Sequence, residues 1–266
     1  MSQAPAWQLE SLDVGYDAQR PVLRGLDAQA RVGKVTAVLG PNAAGKTTLL
    51  RTLLGSLPPV AGRALLDGRP TRDTPAGALA RRVAWVPQGL SDRFGFTVRE
   101  LVAMGLAARG QRLTRAQAEH QAQHAMEAAG VADLAERPAS RLSAGQRQRA
   151  LLARALAQCG PAARSLLADE PTAALDPPHA HAALGVLRGL ARRDPAPLAV
   201  VVVLHDLALA GEYADDAWLL ANGRMIAAGP VADVLTPDRL TRAYGARFTS
   251  APSPRPVPRV AVAEDA

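Results

Sequence analysis

Gly40-Pro41-Asn42-Ala43-Ala44-Gly45-Lys46-Thr47 is the stretch on which the fold depends. It closes a short apolar run, Val35 to Leu39, and opens Thr47 to Leu54, where Leu49, Leu50, Leu53 and Leu54 recur at helical spacing. Strand, glycine-bearing loop and helix in that order make a phosphate cradle. The glycines let the backbone curl so that its N–H groups face an anion. Lys46 brings a point charge to the β- and γ-phosphates, Thr47 a hydroxyl for Mg²⁺, and the helix its N-terminal dipole. Lys46 is one of only two lysines in the chain; the other is Lys34.

Working outward, Leu166-Leu167-Ala168-Asp169-Glu170-Pro171 reads as a buried strand ending in two carboxylates. Alone this is an ordinary acidic turn. Beside a phosphate loop it gains a role, because a P-loop enzyme needs a second strand that holds the metal. Asp169 is then the Mg²⁺ carboxylate and Glu170 the general base that polarises a water. Leu198 to Leu204 is a third strand and ends at His205-Asp206. A histidine after a strand is more often structural. Ligands of open parallel sheets, however, gather at the carboxyl ends of the strands, so His205 is placed to reach a γ-phosphate.

Trp7 to Tyr16 suits a strand, as do Ala64 to Leu66 before the Asp67-Gly68 turn and Val83 to Pro87. From Thr97 to Gln158 the pattern turns helical, with Val98, Leu101, Val102 and Gly105 on one face. Trp218 to Leu220 and Arg224 to Ala227 flank Asn222-Gly223 as a hairpin. The fold expected is α/β: a P-loop NTPase core with a small antiparallel β subdomain and an inserted helical subdomain. Residues 7–249 form the domain, with 7–90 and 160–249 as core and 91–159 as the helical insertion. The proline-bearing stretch 250–266 reads as a disordered tail.

The 266 residues are 48% hydrophobic, enough for one large α/β domain, and show no internal repeat. A net charge of +7 without any basic stripe reads as a solvated, arginine-rich surface. The single cysteine, Cys159, rules out an intrachain disulfide and reads as a small helix-end residue. Met1 to Trp7 lacks the pattern of a signal peptide. Leu198 to Leu204 is far shorter than the roughly 20 residues a bilayer span needs. A membrane role therefore requires a partner. His120 and His124, and His179 and His181, lack a third ligand type nearby and read as solvated surface histidines.

Leu142-Ser143-Ala144-Gly145-Gln146 opens another helix, whose apolar face is Leu151, Leu152, Ala155 and Leu156. Ser143 and Gln146 form a Ser-x-x-Gln capping box, and a capped helix with glycine in its first turn is a second anion site. A second site makes sense if it closes on the nucleotide of another copy. With this segment the sequence resembles the ABC ATPase family, over about Trp7 to Phe248. Residues 40–47 resemble its Walker A, 166–170 its Walker B and 142–146 its signature. Gln88 resembles the Q-loop glutamine, Ala174-Leu175-Asp176 the D-loop and His205 the switch histidine. Tyr16 falls where the family stacks an aromatic on adenine.

The resemblance implies that two copies pair head to tail around two ATP molecules. Each ATP would meet Tyr16, the loop from Gly40 to Thr48, Gln88, Asp169, Glu170 and His205 of one chain. Ser143, Gly145, Gln146 and Asp176 would serve the nucleotide of the other. Mg²⁺ would sit on Thr47, Gln88 and Asp169. Integral-membrane permease subunits would dock on the segment after Gln88, and a periplasmic or extracellular cargo-binding protein would act indirectly. The chain would lie on the cytoplasmic face of the inner membrane as a peripheral subunit, without nucleic acid. Ala43 and Ala144 stand where glycine is commoner in the family, each adding one methyl. Phe96 to Val102, Val203 to Leu207 and Tyr244-Gly245 resemble importer ATPases for iron chelates, haem and cobalamin; the extra residues Cys159 to Arg164 resemble the haem and cobalamin members, which makes haem the leading cargo. The rival is an ABC-type ATPase acting on nucleic acid or ribosomes, which shares the motifs; no long heptad insertion or second cassette supports it.

Overall fold

The computed structural model describes residues 5–17, 19–89, 95–251 and 259–262. Two strands, β1 (Pro5–Val14) and β2 (Leu23–Arg31), lead into β3 (Val35–Leu39), the phosphate loop and helix α1 (Lys46–Leu53). There follow β4 (Ala61–Leu66), β5 (Arg69–Pro70), α2 (Ala76–Arg82) and β6 (Val83–Val86). Three helices come next: α3 (Val98–Ala108), α4 (Arg115–Ala128) and α5 (Ala144–Gln158). The chain returns through β7 (Ser165–Asp169), α6 (Pro177–Ala191), β8 (Ala199–Val203), α7 (Leu207–Tyr213), β9 (Asp216–Ala221) and β10 (Arg224–Pro230). It closes with α8 (Val231–Val234), α9 (Pro237–Tyr244), β11 (Phe248–Ala251) and β12 (Arg259–Val262).

The central sheet has the order β10-β9-β3-β8-β7-β6, parallel throughout except for β10, which pairs antiparallel with β9. Its five parallel strands are short and almost wholly buried, and β8 is nearly all valine, as suits a strand covered on both faces. The period of two shows in β8: Val200 and Val202 enter one core, Ala199, Val201 and Val203 the other. The first core joins the sheet to α3, α4, α5 and α6. The second joins it to α1 and to the antiparallel sheet β2-β1-β4-β5. Polar ties fix the two sheets together. Trp7 Nε1 donates to Ser165 Oγ (2.8 Å), which donates to the Ala199 carbonyl (2.7 Å), and Arg31 forks onto the buried Asp216 (2.9 and 3.0 Å).

Side chains of α5 complete the free side of β6. The Gln158 amide accepts from Trp85 N (3.2 Å) and donates to the Val83 carbonyl (3.0 Å), while Arg154 donates to the Trp85 carbonyl (3.1 Å). Val83 N donates to the Leu79 carbonyl at the end of α2. Crossing α5, α3 brings Gly105 so close that a Cβ there would lie 2.1 Å from the Arg154 carbonyl oxygen. Gly105 thus sits on the buried face because only a missing side chain permits that crossing.

One expectation is corrected. The tail was expected to be disordered from residue 250, yet Phe248–Ala251 pairs antiparallel with Arg259–Val262. The short β-branched run Val260-Ala261-Val262 supplies a partner strand that the prolines before it conceal. Residues 252–258 and 263–266 lie outside the described residues, as do 90–94, most of the segment expected to meet a membrane partner.

Candidate active site

Parallel strands deliver their carboxyl ends to one edge, and register sets which residues meet there. Val38 pairs with Val203, Asp169 with Val203, and Val86 with Ala168. The phosphate loop, Asp169-Glu170, His205 and Gln88 therefore emerge together, although Gln88 and Glu170 are 82 residues apart in sequence.

A cleft of about 320 Å³ is lined by Asn42 to Thr48, Val22 and Glu170. The loop backbone is left-handed at Ala43 (φ 62°) and Gly45 (φ 96°). At Gly45 the torsion favours glycine, and a Cβ there would lie 2.4 Å from Leu23 Cδ2 and push that side chain aside. At Ala43 the extra methyl sits in a conformation that disfavours L side chains by about 1–2 kcal/mol. Lys46 is 6% exposed, and its ammonium donates to the carbonyls of Gly40 (2.8 Å) and Pro41 (2.9 Å). Burial lowers its pKa, opposed by the nearby Glu170 and Asp169 carboxylates. Ala44 and Thr48 line the cleft while largely buried, and the Thr48 carbonyl accepts from the Thr52 hydroxyl within α1.

Asp169 is 1% exposed. Its pKa is raised by burial and by Glu170, against a hydrogen bond from the Thr47 hydroxyl and the charge of Lys46. Its Oδ1 is buried without a hydrogen-bond partner. An orphaned carboxylate oxygen beside a threonine hydroxyl is a hard-oxygen donor set, which fits Mg²⁺. Glu170 carries a left-handed backbone (φ 50°) at the strand end, a conformation that costs about 1–3 kcal/mol and turns its side chain toward the cleft. Both of its oxygens are engaged. Gln88 Nε2 donates to Oε2 (3.0 Å), and His205 Nε2 lies 2.5 Å from Oε1.

The remaining expected residues lie elsewhere. Ser143 is the N-cap of α5; its Oγ accepts from Gln146 N (3.2 Å) while the Gln146 side chain accepts from Ser143 N (3.0 Å). Ala144 is exposed in the first helical turn. A separate cleft holds Ser143, Gly145, Gln146 and Asp176, with no residue of the phosphate loop. Gly145 abuts the Ala174 carbonyl, where a Cβ would lie at 2.9 Å. Asp176 caps α6 by accepting from His179 N (3.0 Å), and its pKa is lowered first by that bond and then by the His179 ring. Tyr16 is 65% exposed and its hydroxyl accepts from Arg51 of α1 (2.7 Å); Val22, not Tyr16, lines the phosphate cleft. Sequence reasoning missed Tyr244 of α9, whose hydroxyl accepts from Gly40 N at 3.1 Å across 204 residues. Nothing local in the sequence signals that contact.

Among known proteins, the ABC transporter family profile matches residues 23–173. The chain is 46% identical over 238 residues to a hemin import ATP-binding protein of Streptomyces coelicolor, covering 89% of this chain and 82% of that one. It is 43% identical over 248 residues to a cobalamin import ATP-binding protein of Halobacterium salinarum, covering 92% of this chain and 61% of that one. A solved inward-facing ABC transporter described as metal-chelate type superposes with a TM-score of 0.80 at 26% identity, covering 98% of both chains.

Proposed function

This chain belongs to the ABC transporter ATP-binding family, and from that premise we propose that it is the ATP-hydrolysing subunit of an importer whose cargo is a metal chelate, haem first. The observation that carries the enzymatic part is the Glu170 carboxylate, held by Gln88 and His205 at the rim of the cleft that the phosphate loop lines. The cargo rests on the hemin and cobalamin import relatives and on the metal-chelate transporter.

In this reading the backbone N–H groups of residues 40–47 and the Lys46 ammonium bind the phosphates. Glu170 takes a proton from the attacking water, its two oxygens oriented by Gln88 and His205. A polar contact on each oxygen keeps the carboxylate aimed at the cleft. Thr47 and Asp169, with Gln88 beside them, would hold Mg²⁺, which supplies charge neutralisation on the phosphate oxygens. Tyr16 stacks on the base. Ser143, Gly145, Gln146 and Asp176 lie in their own cleft, and we assign them to the nucleotide of a second copy. Among the described residues no helix is long and apolar enough to cross a membrane. By likeness to the import ATP-binding relatives, we assign the path to membrane-spanning partner subunits and place this chain on their cytoplasmic side.

The test is a reconstituted complex. Glu170→Gln should keep ATP binding and lose about 10²–10⁴-fold in turnover. Vesicles carrying the wild-type complex should accumulate haem only with ATP. Turnover above a tenth of wild type in Glu170→Gln removes Glu170 from the base role, and ATP-dependent uptake of a different chelate with none of haem removes the cargo assignment.

A further inference from the structure

A third cleft, of about 470 Å³, lies between α4 and α5 on one side and α6 on the other and shares no lining residue with the phosphate-loop cleft. Ligand pockets commonly fall between about 300 and 1,000 Å³. Its walls are apolar, among them Ala125, Ala128, Leu156, Val186 and Leu190. Its polar groups are Arg109, Arg193, His120, His124 and Gln121, together with the buried Cys159 thiol, and no lining residue is acidic.

Arg109 is built into place. Its stem lies against Gly160, where a Cβ would come within 2.8 Å of Arg109 Cδ, and its Nη1 donates to Gln121 (2.5 Å). Its Nε is buried without a hydrogen-bond partner. Burial lowers the pKa of Arg109; the Cys159 thiol opposes that, and the like charge of Arg193 adds to it. Two guanidiniums thus share a half-apolar cleft with no carboxylate between them. Such a pair gains from an anion with two separated negative groups. His120 and His124 stand one turn apart on α4, so both rings project from the same face at the cleft rim.

We propose that this cleft binds a flat amphiphilic dianion of the carboxylated metalloporphyrin class, its two carboxylates on Arg109 and Arg193, its ring on the alanine and leucine walls, and its metal on His120 or His124. The proposal rests on the haem reading only for the identity of the ring. Bound there, the molecule touches α4, α5 and α6 together, so the ATPase subunit registers cargo on the side to which it is delivered. Arginine suits the carboxylates, and neutral imidazole nitrogen suits ferric iron.

The full-length chain is titrated with haem, followed by its absorbance band, and with iron-free protoporphyrin, followed by fluorescence. Wild type should bind both. The pair Arg109→Gln and Arg193→Gln should weaken both probes at least tenfold. The pair His120→Ala and His124→Ala should weaken haem alone and remove the ligation-induced band shift. Because Arg109 also packs on Gly160, a second variant guards against misfolding. Gly189 lies on the cleft wall within α6 with open space where its Cβ would be. Gly189→Leu should fill the cleft, suit the helix better than glycine does, and weaken both probes at least tenfold. Wild-type affinity in Gly189→Leu, or in the arginine pair, overturns the site. Absence of binding in a complex that still imports haem overturns this inference and leaves the functional reading standing. Cleft binding of haem in a complex that imports another chelate overturns the functional reading alone.

Discussion

Tyr244→Phe isolates one hydrogen bond at the start of the phosphate loop. The ring remains, tilted against Phe248 at a centroid distance of 5.7 Å, and only the oxygen that accepts from Gly40 N is lost. Gly40 has little freedom to find another acceptor. Its φ is 143°, and a Cβ would meet the Leu220 carbonyl oxygen at 2.1 Å, so the residue is clamped between that strand and α9. A neutral hydrogen bond contributes about 0.5–1.5 kcal/mol net, and a donor left dry costs about 1–3. At 3.1 Å in a half-buried setting we take about 1–2 kcal/mol. In a domain of this size each kcal/mol moves Tm by about 2–4 °C, so a fall of about 2–8 °C is expected. The same bond orders the loop that meets phosphate, so KM for ATP should rise about 5–30-fold while kcat stays within about threefold. Thermal melting and steady-state phosphate release measure both. Unchanged Tm and KM would refute the anchoring role, and a collapse of kcat at unchanged KM would move Tyr244 into the chemistry.

Three further outcomes follow from buried groups. Burial raises the Asp169 pKa, so its stabilising contribution is present at low pH and is lost as pH rises through the folded-state value. Asp169→Asn should therefore melt above wild type at neutral pH without Mg²⁺ while losing Mg-ATP turnover; a lower melting point refutes this. Gly105→Ala should lower the denaturant midpoint, since overpacking of about 1–3 kcal/mol at the Arg154 carbonyl outweighs a helix-propensity gain of about 1. A raised midpoint would mean that α3 and α5 separate freely. The Cys159 thiol, pushed up to about 12 by burial, should resist alkylation at pH 8 in the native protein and react on denaturation, as thiol titration would show.

The phosphate loop, both carboxylates and the capped signature helix were legible because each is set by neighbours within a few residues. Their convergence was half legible: parallel strands imply a shared edge, but the contact of Gln88 and His205 with one carboxylate depends on register. β2 escaped notice because Leu23, Leu26 and Ala30 are buried at spacings of three and four, masked by bulges where it pairs with β1. α6 went unassigned because it opens Pro177-Pro178-His179, and its start is marked only by Asp176, which caps it. Tyr244 and the paired tail were illegible for a common reason, since each depends on a partner that local pattern does not reveal.

A strand at the end of a sheet ordinarily offers its unpaired N–H and C=O groups to any passing chain. At β6 the Gln158 amide and the Arg154 guanidinium occupy those positions, and Gln158 imitates a neighbouring strand by both giving and accepting. Lateral growth of the sheet is thereby closed at β6. Two copies of this chain cannot be joined at that edge by backbone pairing.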